Sequence, residues 1–154
     1  MLYFKQIQGL DGYNAAKELR EEVFMKEQGF PFDYDDHDKE AWHIVGYDGD
    51  TVIGTARVFK ISDKSYKIGR MAVKKEYRGQ YVGDLIIKTL QDKIVTLGGI
   101  EAVVEAQVRA KGFYTYEGYM PEGDEYDELG VPHILMKLDL TKPVRHCSCK
   151  GLKE

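Results

Sequence analysis

The stretch Glu76-Tyr-Arg-Gly-Gln-Tyr-Val-Gly-Asp-Leu-Ile-Ile-Lys-Thr-Leu90 decides how the chain is read. It opens as a charged, glycine-punctuated turn and becomes a helix. Val82, Leu85, Ile86, Thr89, Leu90, Ile94 and Leu97 trace one predicted apolar face, and Gly98-Gly99 ends it. The strand-like SYKIGRMAVKK lies immediately before the turn. A strand that runs through such a turn into a helix is a ready anion site. The first helical N–H groups lack intrahelical partners, and the helix dipole adds partial positive charge there. Arg78 adds a full charge, while Gly79 and Gly83 let a ligand approach the backbone with no Cβ in the way. The ligand class is a phosphate or pyrophosphate; an ordinary helix start with turn residues is the alternative. The Gly-Lys-Ser/Thr ending of a P-loop and the GxGxxG of a dinucleotide fold are both missing.

Working outward, LYFKQI reads as a first strand, followed by the turn-like Gly9-Leu-Asp-Gly12. Ala15, Ala16, Leu19, Val23 and Phe24 recur at helical spacing and predict a helix from about Asp11 to Gln28, stopped by Gly29 and Pro31. AWHIVGY and TVIGTARVFKI are strand-like runs joined by Asp48-Gly49-Asp50, a hairpin signal. IEAVVEA is a further strand, VRAKGFYTYEG a short helical piece and VPHILMKLDL a final strand. The order β-α-β-β-β-α-β-α-β predicts an α/β (α+β) domain with a central mixed, mostly antiparallel sheet flanked by helices. The domain is expected over 1–140, with a tail over 141–154.

The 154 residues are 43% hydrophobic and 31% charged, which suits one soluble globular domain with a substantial core. A net charge of −4 gives a nucleic-acid partner no electrostatic support. No apolar run approaches the roughly 20 residues that cross a bilayer, so no membrane partner is expected. MLYFKQIQGLDGYN lacks the apolar core of a secretory signal, and a cytoplasmic location is the default expectation. Asp33, Asp35, Asp36, Asp38 and Glu40 cluster in FPFDYDDHDKEAW. Such a run favours a cationic substrate or is simply a solvated loop. Cys147 and Cys149 lie in a His146-Cys-Ser-Cys tail with no second cluster to complete four ligands, so no metal is expected.

The turn after IGRMAV resembles the acetyl-CoA motif of the GNAT superfamily of N-acetyltransferases, Arg/Gln-x-x-Gly-x-Gly/Ala. Arg78, Val82 and Gly83 match, and Tyr81 replaces a motif glycine. The resemblance implies that backbone amides of Arg78, Gly79, Gln80, Tyr81, Val82 and Gly83 cradle the coenzyme A pyrophosphate. It also implies that Met71 and Val73, flanking Ala72, bind pantetheine through their main chain. Gly112-Phe-Tyr-Thr-Tyr-Glu-Gly-Tyr119 resembles the family's Phe-Tyr-x-x-x-Gly-Phe signature and puts Tyr114 where a phenol protonates the departing thiolate. Three more pieces resemble the ElaA/YjcF-like subgroup: Arg20-Glu-Glu-Val-Phe-Met-Lys-Glu-Gln28, Asp38-Lys-Glu-Ala-Trp-His-Ile44 and Glu128-Leu-Gly-Val-Pro-His-Ile-Leu-Met136. Together they cover about residues 2–140.

The implied reaction moves an acetyl group from acetyl-CoA, with no metal, to a primary amine on a small molecule or a peptide N-terminus. The general base is expected at Glu27, beside the acidic loop, and next at Glu105, at a strand end facing the cleft. His43 and His133 alternate with apolar strand residues and suit structural hydrogen bonds. Arg20 suits either a substrate carboxylate or the acidic loop. Where many relatives carry asparagine, this chain has Glu105-Ala106-Gln107. Two other readings remain: a non-catalytic acyl-CoA-binding module, and an enzyme similar to acyl-homoserine lactone synthases, which use S-adenosylmethionine. Homodimers are common among such proteins. Tyr81 is expected to adopt a right-handed helical backbone with its ring turned away from the phosphates.

Overall fold

The computed structural model describes residues 1–142; residues 143–154, with His146, Cys147 and Cys149, lie outside the described residues. Two compact units are present, Met1–Lys60 with Ile68–Lys93, and Ile61–Lys67 with Ile94 onward. The α/β class expected from the sequence holds, with one strand more than the periodicity indicates.

In the first unit the strands run in the order β1 (Leu2–Gln8), β2 (Trp42–Asp48), β3 (Thr51–Lys60) and β4 (Ser65–Val73, from Ile68 in this unit). β1 and β2 pair antiparallel from Leu2↔Asp48 to Gln8↔Trp42, and β2 turns back into β3 through Gly49, whose φ of +61° suits a hairpin turn. β3 is buried from Ile53 to Phe59, the mark of a strand covered on both faces. One cover is helix α2 (Val82–Thr96): a Cβ on Gly54 would stand 2.8 Å from Ile86 and 3.0 Å from Val82. The buried face of α2 carries Val82, Ile86, Ile87 and Leu90, while Leu85 is exposed. The predicted stripe is therefore rotated by about one residue. Leu85 and Ile87 are both apolar, so spacing alone does not choose between them.

Helix α1 (Leu10–Arg20) passes into a wider π-helical segment, Glu21–Glu27. The Gln28 N–H reaches back five residues to the Val23 carbonyl at 3.0 Å, and Gly29, at φ +81°, ends the run. The expected single helix thus has the right extent and an unexpected wide turn. Leu19, Val23 and Phe24 bury against Ala72 of β4, with Phe30 and Val52 at the margin.

In the second unit β5 (Glu101–Gln107), β7 (Val131–Asp139) and β6 (Met120–Glu128) lie in that order, all antiparallel. Helix α3 (Lys111–Tyr116) follows β5. Val104 sits opposite Met136 and Ala106 opposite Ile134, giving a buried apolar face. β6 is the strand that the sequence reading missed. MPEGDEYDE is exposed along its whole length, contains Pro121 and Gly123, and shifts register between Glu122 and Tyr126. It buries no apolar face, so no alternation marks it, and its main-chain ladder to β7 holds it.

Candidate active site

In the first unit β4 ends at Val73, a short 3-10 turn spans Lys75–Tyr77, and α2 begins at Val82. Between them Gly79 takes φ +79° and Tyr81 takes φ +66°. The right-handed backbone expected at Tyr81 is therefore corrected: the tyrosine is left-handed. A right-handed residue would send the chain into α2 one residue early. Instead the Tyr81 carbonyl accepts the Leu85 N–H at 3.1 Å, so the residue closes the first turn from outside the helix. The residue is 61% exposed. Tyr81 thus adopts the backbone that the motif glycine would supply without strain.

Arg78 is fixed on three sides. Its Nε donates to the Val73 carbonyl at 2.9 Å, while Nη1 and Nη2 donate to the two carboxylate oxygens of Glu27 at 2.6 and 2.8 Å. Donating to the Glu27 carboxylate tightens the guanidinium's hold on its proton. Lys74 pairs with Glu22 at 3.2 Å. Both cations are thus tied to the π-helical segment, and Glu27 has both oxygens engaged by Arg78. A single loop of backbone with two residues at positive φ and an arginine held planar suits the oxygens of a pyrophosphate.

The acidic loop is not a solvated run. Asp33 and Asp38 are buried, as are Arg20 and Arg57. Arg20 Nε meets Asp33 at 2.7 Å, and its Nη1 meets Asp38 at 2.8 Å. Arg57 donates to both oxygens of Asp35, at 2.6 and 2.8 Å, and pairs with Asp38 at 2.9 Å. Arg70 pairs with Asp33 at 2.9 Å and with Asp35 at 3.3 Å. Three arginines and three aspartates close into one neutral network, so Arg20 has its partners inside the protein. Burial opposes the charge on Asp35, but the Arg57 hydrogen bonds outweigh it and bring the carboxyl down to about 2. Asp38 is likewise lowered, burial again being overcome by Arg20. Arg57 and Arg70 were missed because each sits within an apolar strand run, far in sequence from the loop. His43 takes the structural role expected: its Nε2 lies 3.2 Å from the Asp38 carbonyl, and burial disfavours protonation of the ring.

In the second unit Tyr114 on α3 is buried, edge-on to Phe113 at 5.0 Å and to the fully buried Tyr119 at 5.7 Å. Burial pushes the Tyr114 phenol well above its ordinary value, so it stays protonated through neutral pH. Glu105 on β5 is partly exposed and accepts from Lys67 Nζ at 2.7 Å. His133 Nδ1 lies 2.8 Å from the Val131 carbonyl, a structural contact. Among the described residues no group of three or more His, Cys, Asp or Glu could hold a metal ion.

Residues 13–140 match the family described as the acetyltransferase (GNAT) domain. Over 124 residues the chain is 36% identical to the uncharacterized N-acetyltransferase YjcF of Bacillus subtilis, covering 79% of this chain and 88% of that protein. It is 36% identical over 135 residues to the protein ElaA of Escherichia coli, covering 79% and 84%. The crystal structure of Escherichia coli ElaA superposes with a TM-score of 0.80 at 28% identity over 89% of this chain and 99% of that one. An acyl-CoA N-acyltransferase from Pseudomonas aeruginosa shares the fold, with a TM-score of 0.78 at 23% identity over 89% and 99%. Motif, fold and relatives agree, and the chain belongs to the GNAT acetyltransferase family, among its ElaA- and YjcF-like members.

Proposed function

We propose that this acetyltransferase moves an acetyl group from acetyl-CoA directly to a primary amine, on a small molecule or a peptide N-terminus, within a ternary complex. The observation that carries the reading is the turn from Arg78 to Gly83. Its two positive φ angles and its docked arginine form a backbone cradle at the start of a 15-residue helix. Acetyl-CoA supplies a thioester carbonyl and a thiolate leaving group. The amides of Gly79, Gln80, Tyr81, Val82 and Gly83 hold its pyrophosphate, with the Arg78 charge beside them, the Arg78 N–H being committed to the Lys75 carbonyl at 3.3 Å. The main chain of Met71 and Val73, on either side of Ala72, takes the pantetheine. A backbone N–H near Met71 polarises the thioester carbonyl, an interaction that strengthens as negative charge develops on oxygen.

The neutral amine attacks the carbonyl carbon, a C–N bond forms and the C–S bond breaks. One proton leaves nitrogen and one arrives on sulfur, so the products are an amide and a free thiol. Tyr114 donates the proton to sulfur, burial holding its phenol in the protonated form. Both carboxylate oxygens of Glu27 accept from Arg78, which supports a role in holding that arginine over the role of base first expected for it. Glu105 then takes the amine proton through water, with Lys67 fixing one of its oxygens. Holding the thioester and amine together supplies several kcal/mol of barrier reduction, roughly what a high effective molarity gives.

The test is release of free thiol from acetyl-CoA across a panel of polyamines, amino sugars, aminoglycosides and peptides with free N-termini. Tyr114→Phe should lower kcat about 100-fold while leaving the KM for acetyl-CoA within about threefold, the signature of a lost acid. Unchanged turnover in that variant removes Tyr114 as the acid. Acetyl-CoA binding with no release across the whole panel favours a non-catalytic acyl-CoA-binding module.

A further inference from the structure

Arg70 sits within β4 at φ +50°, one of three non-glycine residues at positive φ among those described. The neighbour before it is Gly69, which could take a left-handed backbone without cost yet does not. Local sterics therefore do not explain why the arginine adopts it. An L-residue there costs about 1–2 kcal/mol, so something else must hold it.

The side chain supplies the hold. Arg70 Nε and Nη2 donate to the main-chain carbonyl of Asp33 at 3.1 and 2.7 Å. Nε also lies 2.9 Å from the Asp33 carboxylate, and Nη2 reaches Asp35 at 3.3 Å. Those acceptors cannot drift. Asp33 is gripped by Arg20 at 2.7 Å and Asp35 by both terminal nitrogens of Arg57. Immediately after Arg70 come Met71, Ala72 and Val73. Val73 presents its carbonyl to Arg78, and Lys74 donates its N–H to Ile53 at 2.8 Å. The segment between is thus fixed at its far end by these two bonds and at its near end by Arg70.

We propose that Arg70 is a positioning residue. Its guanidinium, anchored on Asp33 and Asp35, holds a left-handed backbone in β4 and so aims the Met71 to Val73 main chain at the thioester. This rests on the acetyl transfer proposed above. It also gives the acidic loop a task that does not involve contact with substrate.

The test compares Arg70→Ala with Arg70→Gly. Both remove the same guanidinium and the same contacts to Asp33 and Asp35, but only glycine accepts φ +50° without strain. The expected result is a loss of kcat of at least tenfold in Arg70→Ala. In Arg70→Gly at least threefold of that loss should return. A role confined to charge or to general stability would affect the two variants alike. Equal kcat values in Ala and Gly, or wild-type kcat in Ala, overturn the proposal. If Arg70→Ala does not fold, Arg70→Met takes its place in the same comparison. If wild-type protein releases no thiol with any amine, the acetyl-transfer reading fails separately. Backbone amide chemical shifts of Met71 to Val73 then decide: they should move in the Ala variant and stay near wild type in the Gly variant. Identical shifts in the two variants sink the positioning role.

Discussion

Replacing Tyr81 by glycine should make the protein more stable, although it removes an aromatic side chain. The tyrosine holds φ at +66°, a region that costs an L-residue about 1–2 kcal/mol. Glycine removes that strain but loses about 0.5–1 kcal/mol more backbone entropy on folding. Tyr81 is 61% exposed, so deleting its side chain gives up limited apolar burial. The balance is a gain of about 0.5–1 kcal/mol, or roughly 1–4 °C in Tm for a chain of this size. Urea titration monitored by circular dichroism measures it, with an unchanged m-value as the sign that only stability has moved. Tyr81→Ala is the control. Alanine keeps the strain and loses the ring, so it should be no more stable than wild type. The KM for acetyl-CoA in the glycine variant should stay within about threefold, because the loop amides that face the phosphates are retained. A glycine variant no more stable than the alanine one would refute the reasoning.

Two further outcomes follow from the geometry. The folded-state values of Asp35 and Asp38 lie below the ordinary carboxylate value, so both add stability that is lost on acidification, for Asp35 as pH falls through 4 toward about 2. For Asp35 the gap is worth about 2 kcal/mol before solvent screening and ~1 kcal/mol after it, since its side chain is 36% exposed. Asp35→Asn should therefore flatten the dependence of the urea midpoint on pH between 5 and 2; an unaltered slope would discount the network as a source of acid sensitivity. Gly12→Ala sets helix propensity against packing. Propensity alone predicts a gain of about 1 kcal/mol, but the new Cβ would collide with the Ile7 carbonyl and stand 2.7 Å from the His43 ring. A net loss of about 1–3 kcal/mol is expected by chemical denaturation, and a stabilised variant would show that β1 and α1 can separate freely.

What could be read without coordinates was local. The Asp48-Gly49-Asp50 turn, the helix stop at Gly29 and the glycine-bearing turn before α2 each declare themselves within a few residues. The network does not. Arg57 lies 22 residues from Asp35, Arg70 lies 37 from Asp33 and Arg78 lies 51 from Glu27. Each arginine interrupts an apolar or glycine-rich stretch whose own logic is complete without it. Glu27 was read as a carboxylate beside an acidic loop because nothing nearby in sequence hints at Arg78. β6 escaped for the opposite reason, having no apolar periodicity of any kind. Tyr81 was misread because a residue's own preference argues for a right-handed backbone, while the turn around it imposes the other hand.

The closed set of three arginines and three aspartates also constrains how this chain can change over generations. Removing any buried member strands its partners' charge at a cost of about 3–5 kcal/mol, a large share of the 5–15 kcal/mol that holds a typical domain together. Positions 20, 33, 38 and 57 are therefore bound to one another as a linked inheritance. A lineage can exchange them only through paired or multiple substitutions, by way of intermediates less fit than either end.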